Sequence, residues 1–261
     1  MWRKVIKMYQ NENKLTSETS SLTPDIPYTV EYNIIVCHNK EGLKLAKDSY
    51  GDYSNRLYLS DNGLEDTISI DTKWDSRLFG EFGFWEWAAN NIRKCDRACL
   101  QHYRRKLPLG VSDIILPQPC KFNMSVLDGL AYWHSPVLCD ALHSILSPKE
   151  FNVLQGNELL CWNIFKAPQP VIKQWVEYCG NKLTLLLRYF GLEPNIESVE
   201  KFVHDKNSGL LEPREGKNID PNYQRRFMAC CLERISHCYW MGVPYPREYK
   251  QIKLLEINQL I

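Results

Sequence analysis

The spacing of apolar positions changes several times along the chain, and each change marks an element. Tyr32-Asn33-Ile34-Ile35-Val36-Cys37 is a β-branched run that stops at the polar turn His38-Asn39-Lys40, as a buried strand does. A helix-like stretch follows, and in α/β folds such a strand–turn–helix unit presents its turn at the carboxyl edge of a sheet. Residues 48–64 are polar and turn-rich. Residues 81–92 have helical spacing, with Phe84, Trp87, Ala88 and Asn91 on one face. Residues 97–103 form a second buried strand, and 113–116 a third that is stopped by Pro117 and Pro119. Residues 125–146 predict one helix, or two with a break at Pro136. A further strand is expected at 159–165. Residues 170–190 predict a strong amphipathic helix, with a proline near its start and Gly191 closing it. The charged stretch 193–218 reads as a mobile loop, 221–240 as a long final helix, and 250–261 as a tail packing back as a strand or arm. Strands alternate with helices and nothing repeats, which predicts an α/β fold. The expected organisation is an N-terminal arm over 1–27, with a short strand or helix at 1–9, then one domain over 28–249 and the tail.

Composition narrows the class only a little. A chain of 261 residues, 44% hydrophobic and 24% charged, has ample material for one large core. The 32 Lys+Arg nearly cancel 31 Asp+Glu, leaving +1, so no general pull toward nucleic acid or anionic membrane is expected. Any work done by basic residues is therefore local. Ten cysteines without Cys-x-x-Cys spacing, in a chain with no apolar leader after Met1, read as buried thiols of a reducing cytoplasm. No run reaches the ~20 apolar residues of a membrane span. Trp85, Trp87, Trp133 and Trp162 could stack on sugar faces, though core packing is the commoner use of such rings.

Two constellations carry candidate chemistry. Leu100-Gln101-His102-Tyr103-Arg104-Arg105 follows a buried strand directly, which places fixed charge at the sheet edge where α/β ligands bind. The guanidinium fork holds phosphate oxygens bidentately and keeps its charge, which suits a diphosphate gaining charge as it leaves. The plain alternative is that Arg104 and Arg105 pair with core carboxylates such as Glu81 or Glu233. The second constellation is Tyr223, Arg226, Glu233 and Arg234 on the last helix, where the seven-residue step puts Arg226 and Glu233 on one face. That face could line a cleft or form an ion pair locking helix to sheet.

These residues resemble a bacterial family associated with capsular-polysaccharide and O-antigen glycosyltransferases, including galactofuranosyltransferases. The likeness spans residues 32–240. It rests on Glu81, Trp87, Ala88 and Asn91, on His102-Tyr103-Arg104-Arg105, on Asn163, and on Tyr223, Arg226, Glu233 and Arg234. His38 and Lys40 look like the family's His-Lys after the first strand, with Asn39 inserted. His134 falls where the family has a histidine. Gln101 stands where the family has Cys, and residues 48–66 do not align. The resemblance implies a GT-A-like sheet binding a nucleotide-sugar, with UDP-sugars the expected donors. It implies donor contacts from His38, Lys40, Tyr103, Asp113, Asn163, Tyr223 and Arg226, and catalytic roles for His102, Arg104, Arg105, Glu81, His134 and Glu233.

The Asp-x-Asp metal motif of that fold is missing at the equivalent place, where His102-Tyr103-Arg104-Arg105 stands instead. The arginines are therefore expected to take over a divalent metal's electrostatic role, giving metal-independent or weakly metal-dependent transfer, and no tightly bound cofactor is expected. A general base for the acceptor hydroxyl would come from Glu81, His134, Asp113 or Glu233. The expected enzyme transfers a sugar to a lipid-linked or oligosaccharide precursor of capsule, O-antigen or lipopolysaccharide. It would sit in the cytoplasm, peripheral to the membrane, without nucleic-acid partners. The alternative from another class is a carbohydrate- or nucleotide-binding module without turnover.

Overall fold

The computed structural model describes residues 30–51, 53–108, 112–242, 252–256 and 258–259. The expected arm over 1–27, with its element at 1–9, lies outside them. The chain opens with β1 (Glu31–Val36), α1 (Lys40–Ser49), β2 (Arg56–Ser60), β3 (Ile68–Ser69), α2 (Ser76–Phe79), α3 (Phe82–Asn91), β4 (Arg97–His102), β5 (Arg105–Lys106) and β6 (Ile114–Pro117). It continues with β7 (Cys120–Lys121), α4 (Val126–Trp133), α5 (Pro136–Ile145), α6 (Pro148–Val153), β8 (Glu158–Leu159), β9 (Lys166–Pro168) and α7 (Gln169–Phe190). Then come α8 (Ile196–Val203), α9 (Pro221–Gln224), α10 (Phe227–Gly242), β10 (Ile252–Leu255) and β11 (Asn258–Gln259).

The main sheet has the order β10-β6-β9-β4-β1-β2-β3, with β5 paired to β4 and β11 to β5. β1 runs parallel to β2 and β4, β10 runs parallel to β6, and β9 is antiparallel to both β4 and β6. The result is a mainly parallel α/β sheet, as the alternation predicts. Its strands send alternate side chains to opposite faces. Ile34 and Val36 enter the large core, while Ile35 and Cys37 join Leu43, Ala46, Tyr50 and Tyr53 under α1. The large core is aromatic at its centre: Trp85 stacks on Phe165 at 3.9 Å and 10°, and Trp175 meets Phe165 edge-on at 5.2 Å. α7 begins with Pro170 in its first turn and ends at Gly191, left-handed at φ 64°, as that sequence predicts.

Several expectations are corrected. β2 arises inside the stretch read as turns, because Leu59 at its end is wholly buried. The strand expected at 159–165 shrinks to β8, since Trp162 and Asn163 take left-handed φ of 72° and 41°, which no strand accommodates; β9 starts only at Lys166. The stretch read as a mobile loop contains α8, capped by Asn195 and pinned by buried Val199 and Val203, and a 3-10 turn at Lys206–Ser208. The final helix is two helices, α9 and α10, with Arg225 and Arg226 at the joint. The Pro136 break and the returning tail strand hold. All ten cysteines are free, and six are buried. No described helix is long and apolar enough to cross a membrane.

Gln101 positions the site hairpin. Its fully buried amide accepts from the Leu107 N–H at 2.7 Å and donates to the Leu107 carbonyl at 2.9 Å, acting as an extra rung after the turn. Gln101→Leu keeps the volume and strands both backbone groups, at ~1–3 kcal/mol each. The expected outcome is a melting temperature lowered by roughly 5–15 °C in calorimetry.

Candidate active site

Three neighbouring parallel strands end together, and the segments leaving them build one cleft of about 410 Å³. Val36 is in register with Leu59 on one side and His102 on the other, so their following residues share the carboxyl edge. His38 comes from the turn after β1, Asp61 and Asn62 from that after β2, and His102, Arg104 and Arg105 from the β4–β5 turn. Asp75, Ser76, Arg77, Gly80 and Glu81 close one wall; Asn222, Arg225 and Arg226 close another from the α9–α10 joint. Ligands in open α/β sheets bind at such an edge.

The His-Tyr-Arg-Arg string is a two-residue hairpin, with His102 paired to Arg105 across it. The buried Tyr50 hydroxyl lies 3.0 Å from the carbonyls of both His102 and Arg105 and ties the hairpin to α1. His102 Nδ1 accepts from the Arg104 N–H at 3.1 Å, which leaves any proton on Nε2. Burial, then the charges of His38 and three arginines, hold its pKa at about 2. His102 therefore stays neutral at working pH and offers a hydrogen-bond donor, not an exchangeable imidazolium. His38 lies against it, ring centroids 5.5 Å apart, and its pKa is also lowered, first by burial.

Five guanidinium groups face this cleft, and they differ in their partners. Arg77 is held by Asp75 at 2.6 Å and Arg225 by Glu200 at 3.3 Å. Among the described residues, Arg104, Arg105 and Arg226 have no carboxylate within ion-pair distance, Glu81 and Glu233 included. Arg105 instead sits over the Trp162 ring at 5.1 Å, and Arg104 over Tyr103 at 5.2 Å. Burial, foremost, lowers the pKa of Arg105. Such a set is poised for an anion.

Glu81, partly buried at the start of α3, supplies the opposite chemistry. Burial, with a further push from Glu233, raises its carboxyl to about 7 against the pull of Arg226 and Arg105. It is thus placed to exchange a proton near neutral pH. Glu233 stands behind, accepting from the Trp162 N–H at 3.0 Å and lying 3.5 Å from Arg234.

The cleft brings together His38, Glu81, His102, Arg104, Arg105 and Arg226. Tyr103 supports it, packed on Gly42, where an added Cβ would come within 2.9 Å of the ring. Other expected site residues fall elsewhere. Lys40 is exposed and 3.8 Å from Glu65. Asp113 pairs with Arg97 at 3.3 Å, at the amino end of β4 and so the opposite edge of the sheet from the cleft. His134 is buried, 2.9 Å from Gln224 and stacked on Tyr223, its pKa pushed down to about 4 chiefly by burial. Asn163 is buried, its backbone carbonyl accepting from Trp85 Nε1 at 2.7 Å. Tyr223 is exposed and does not line the cleft. Of the tryptophans, Trp85 is core, Trp87 and Trp162 are partly buried and Trp133 is exposed.

Residues that sequence reasoning missed include Asp61, which accepts from the Ser76 N–H at 2.8 Å, and Asn62, which donates to the His38 carbonyl at 2.8 Å. Recognising β2 would have placed both at the sheet edge. Arg225 was hidden by its neighbour Arg226. Among the described residues, no three His, Cys, Asp or Glu side chains gather as a metal site.

No protein-family profile matches the chain, and no curated protein matches it in sequence. In structure it resembles the apo form of the bifunctional glycosyltransferase WbbM, with a TM-score of 0.53 at 12% identity. The match covers 87% of this chain and 44% of WbbM, so this chain spans less than half that protein's length. This is a likeness of fold.

Glu81 should leave a signature in stability. Its folded pKa of about 7 exceeds the ordinary 4.5, so the folded state holds the proton more tightly. Its stabilising contribution is complete below about pH 4.5 and is lost as pH rises to about 7. Glu81→Gln removes that loss. The variant should melt higher than the parent at pH 8, and the difference should shrink toward pH 5.

Proposed function

We propose that the chain is a glycosyltransferase that moves a sugar from a nucleotide-sugar donor to a glycan acceptor. The observation that carries this reading is the trio Arg104, Arg105 and Arg226, without carboxylate partners among the described residues, sharing one cleft with a carboxyl poised near pH 7. The WbbM-like fold and the His-Tyr-Arg-Arg resemblance support it. The donor diphosphate lies among the three guanidinium groups, and His102 Nε2–H donates to one of its oxygens. The Glu81 carboxylate takes the proton of the acceptor hydroxyl as that oxygen bonds to the anomeric carbon. The bond from that carbon to the diphosphate breaks, and the nucleoside diphosphate departs with the electron pair. Charge growing on the leaving oxygen is met by fixed guanidinium groups in place of a divalent cation. A single displacement of this kind inverts the anomeric centre. We further propose UDP as the nucleotide, and a capsule, O-antigen or lipopolysaccharide precursor as the acceptor, on the family resemblance.

Nucleotide release from a panel of UDP-sugars, with and without oligosaccharide acceptors, tests the class. Transfer should survive EDTA, and dependence on added manganese or magnesium would overturn the arginine mechanism. Arg105→Ala and Arg226→Ala should each lower kcat by roughly 10²–10³, as loss of one oxyanion-stabilising donor does. The rate should rise with pH through about 7, where Glu81 loses its proton. Glu81→Gln should abolish that limb together with most of the turnover.

A further inference from the structure

Three of the seven large apolar side chains that are notably exposed among the described residues gather at one place: Trp133 (40%), Ile219 (45%) and Tyr223 (39%). A single buried residue organises them. Gln224 is fully buried; its amide nitrogen donates to the Trp133 carbonyl at 3.1 Å and to the carbonyl of Asn218, next to Ile219. Its amide oxygen lies 2.9 Å from His134 Nδ1. The His134 ring in turn lies flat against Tyr223, 5.5 Å between centroids and 5° from parallel. Tyr223 is thereby held parallel to an imidazole that burial keeps uncharged, while the residue stays 39% exposed. Further bonds fasten the neighbourhood: Arg214 donates to the Ala131 carbonyl at 2.8 Å, and Tyr132 OH donates to the Glu215 carbonyl.

Tyr223 neighbours the cleft along the chain, though its own ring is not part of the cleft lining. Asn222 lines the cleft on one side of Tyr223 in the chain, and Arg225 and Arg226 line it on the other. An aromatic ring held in place by an imidazole, with cleft-lining residues on both sides of it in the chain, matches the surface on which a sugar ring stacks its C–H face while its hydroxyls reach polar neighbours. A protein partner would require a larger continuous apolar patch than three side chains interspersed with Asn218, Asp220 and Asn222.

We propose that Tyr223, held by His134 and Gln224, is the acceptor subsite: it stacks the ring of the acceptor sugar that presents its hydroxyl to Glu81, with Trp133 carrying a more distant residue of an oligosaccharide. The proposal rests on the transferase reading and specifies which wall of the cleft receives the acceptor. It assigns Tyr223 to the acceptor, where the family resemblance implied the donor.

The test separates the two substrates. Tyr223→Ala should raise the acceptor KM about tenfold, the scale of one lost aromatic stacking contact, while Tyr223→Phe should keep it within about twofold. A rise in donor KM with acceptor KM unmoved would overturn the proposal, as would equal effects of Ala and Phe. Saturation-transfer NMR with methyl hexopyranosides, methyl hexofuranosides and a capsular oligosaccharide gives a readout independent of turnover. Ring protons should receive saturation with the parent and Tyr223→Phe, and lose it with Tyr223→Ala. If no UDP-sugar is cleaved, the transferase reading falls, and the NMR result still decides whether Tyr223 holds a sugar. Signals unchanged by Tyr223→Ala, or seen only with a hydrophobic peptide probe, would contradict the subsite.

Discussion

Like charges do not gather without something to hold them, and the candidate site depends on that constraint. Arg104, Arg105 and Arg226 face one cleft, and among the described residues none has a carboxylate within ion-pair distance. Their mutual repulsion is borne by the scaffold. Tyr50 and Gln101 fix the β4–β5 hairpin from beneath, Trp162 and Tyr103 offer ring faces to two of the guanidinium groups, and the α9–α10 joint delivers the third. An anion entering the cleft relieves that repulsion, and in the proposed function the donor diphosphate is that anion.

The same field explains the neighbouring groups. His102 cannot become an imidazolium in this surrounding and so serves as a neutral donor. The arginines pull the Glu81 carboxyl toward lower pKa, yet burial and the nearby Glu233 outweigh them and hold it near 7. A carboxyl that exchanges its proton near pH 7 and three guanidinium groups thus line one cleft, the arrangement that the proposed displacement at an anomeric carbon calls for.

Much of this was legible in the sequence, and the failures have physical causes. The buried strand ending at Val36 and the basic turn after His102 announced the sheet edge, because a β-branched run and adjacent arginines are local signals. The polar stretch 48–64 hid a strand whose pairing with β1, not its composition, makes it one. Asp61 and Asn62 went unseen with it. Asp113 entered through the family resemblance and as a candidate base, but only the parallel direction of β4 and β6 shows it to be at the far edge. His134 offered a suitable pKa type on paper, whereas burial against Tyr223 and Gln224 removes it from proton exchange near neutrality. Helix breaks are set by tertiary packing, so the joint that aims Arg225 and Arg226 could not be read from a continuous apolar pattern.

The most direct measurement is a crystal structure with UDP bound. The account predicts that the two phosphates lie within hydrogen-bonding distance of Arg104, Arg105 and Arg226, with a β-phosphate oxygen near His102 Nε2. A diphosphate bound at another edge of the sheet, or held in this cleft by a metal ion with the three guanidinium groups turned away, would contradict it.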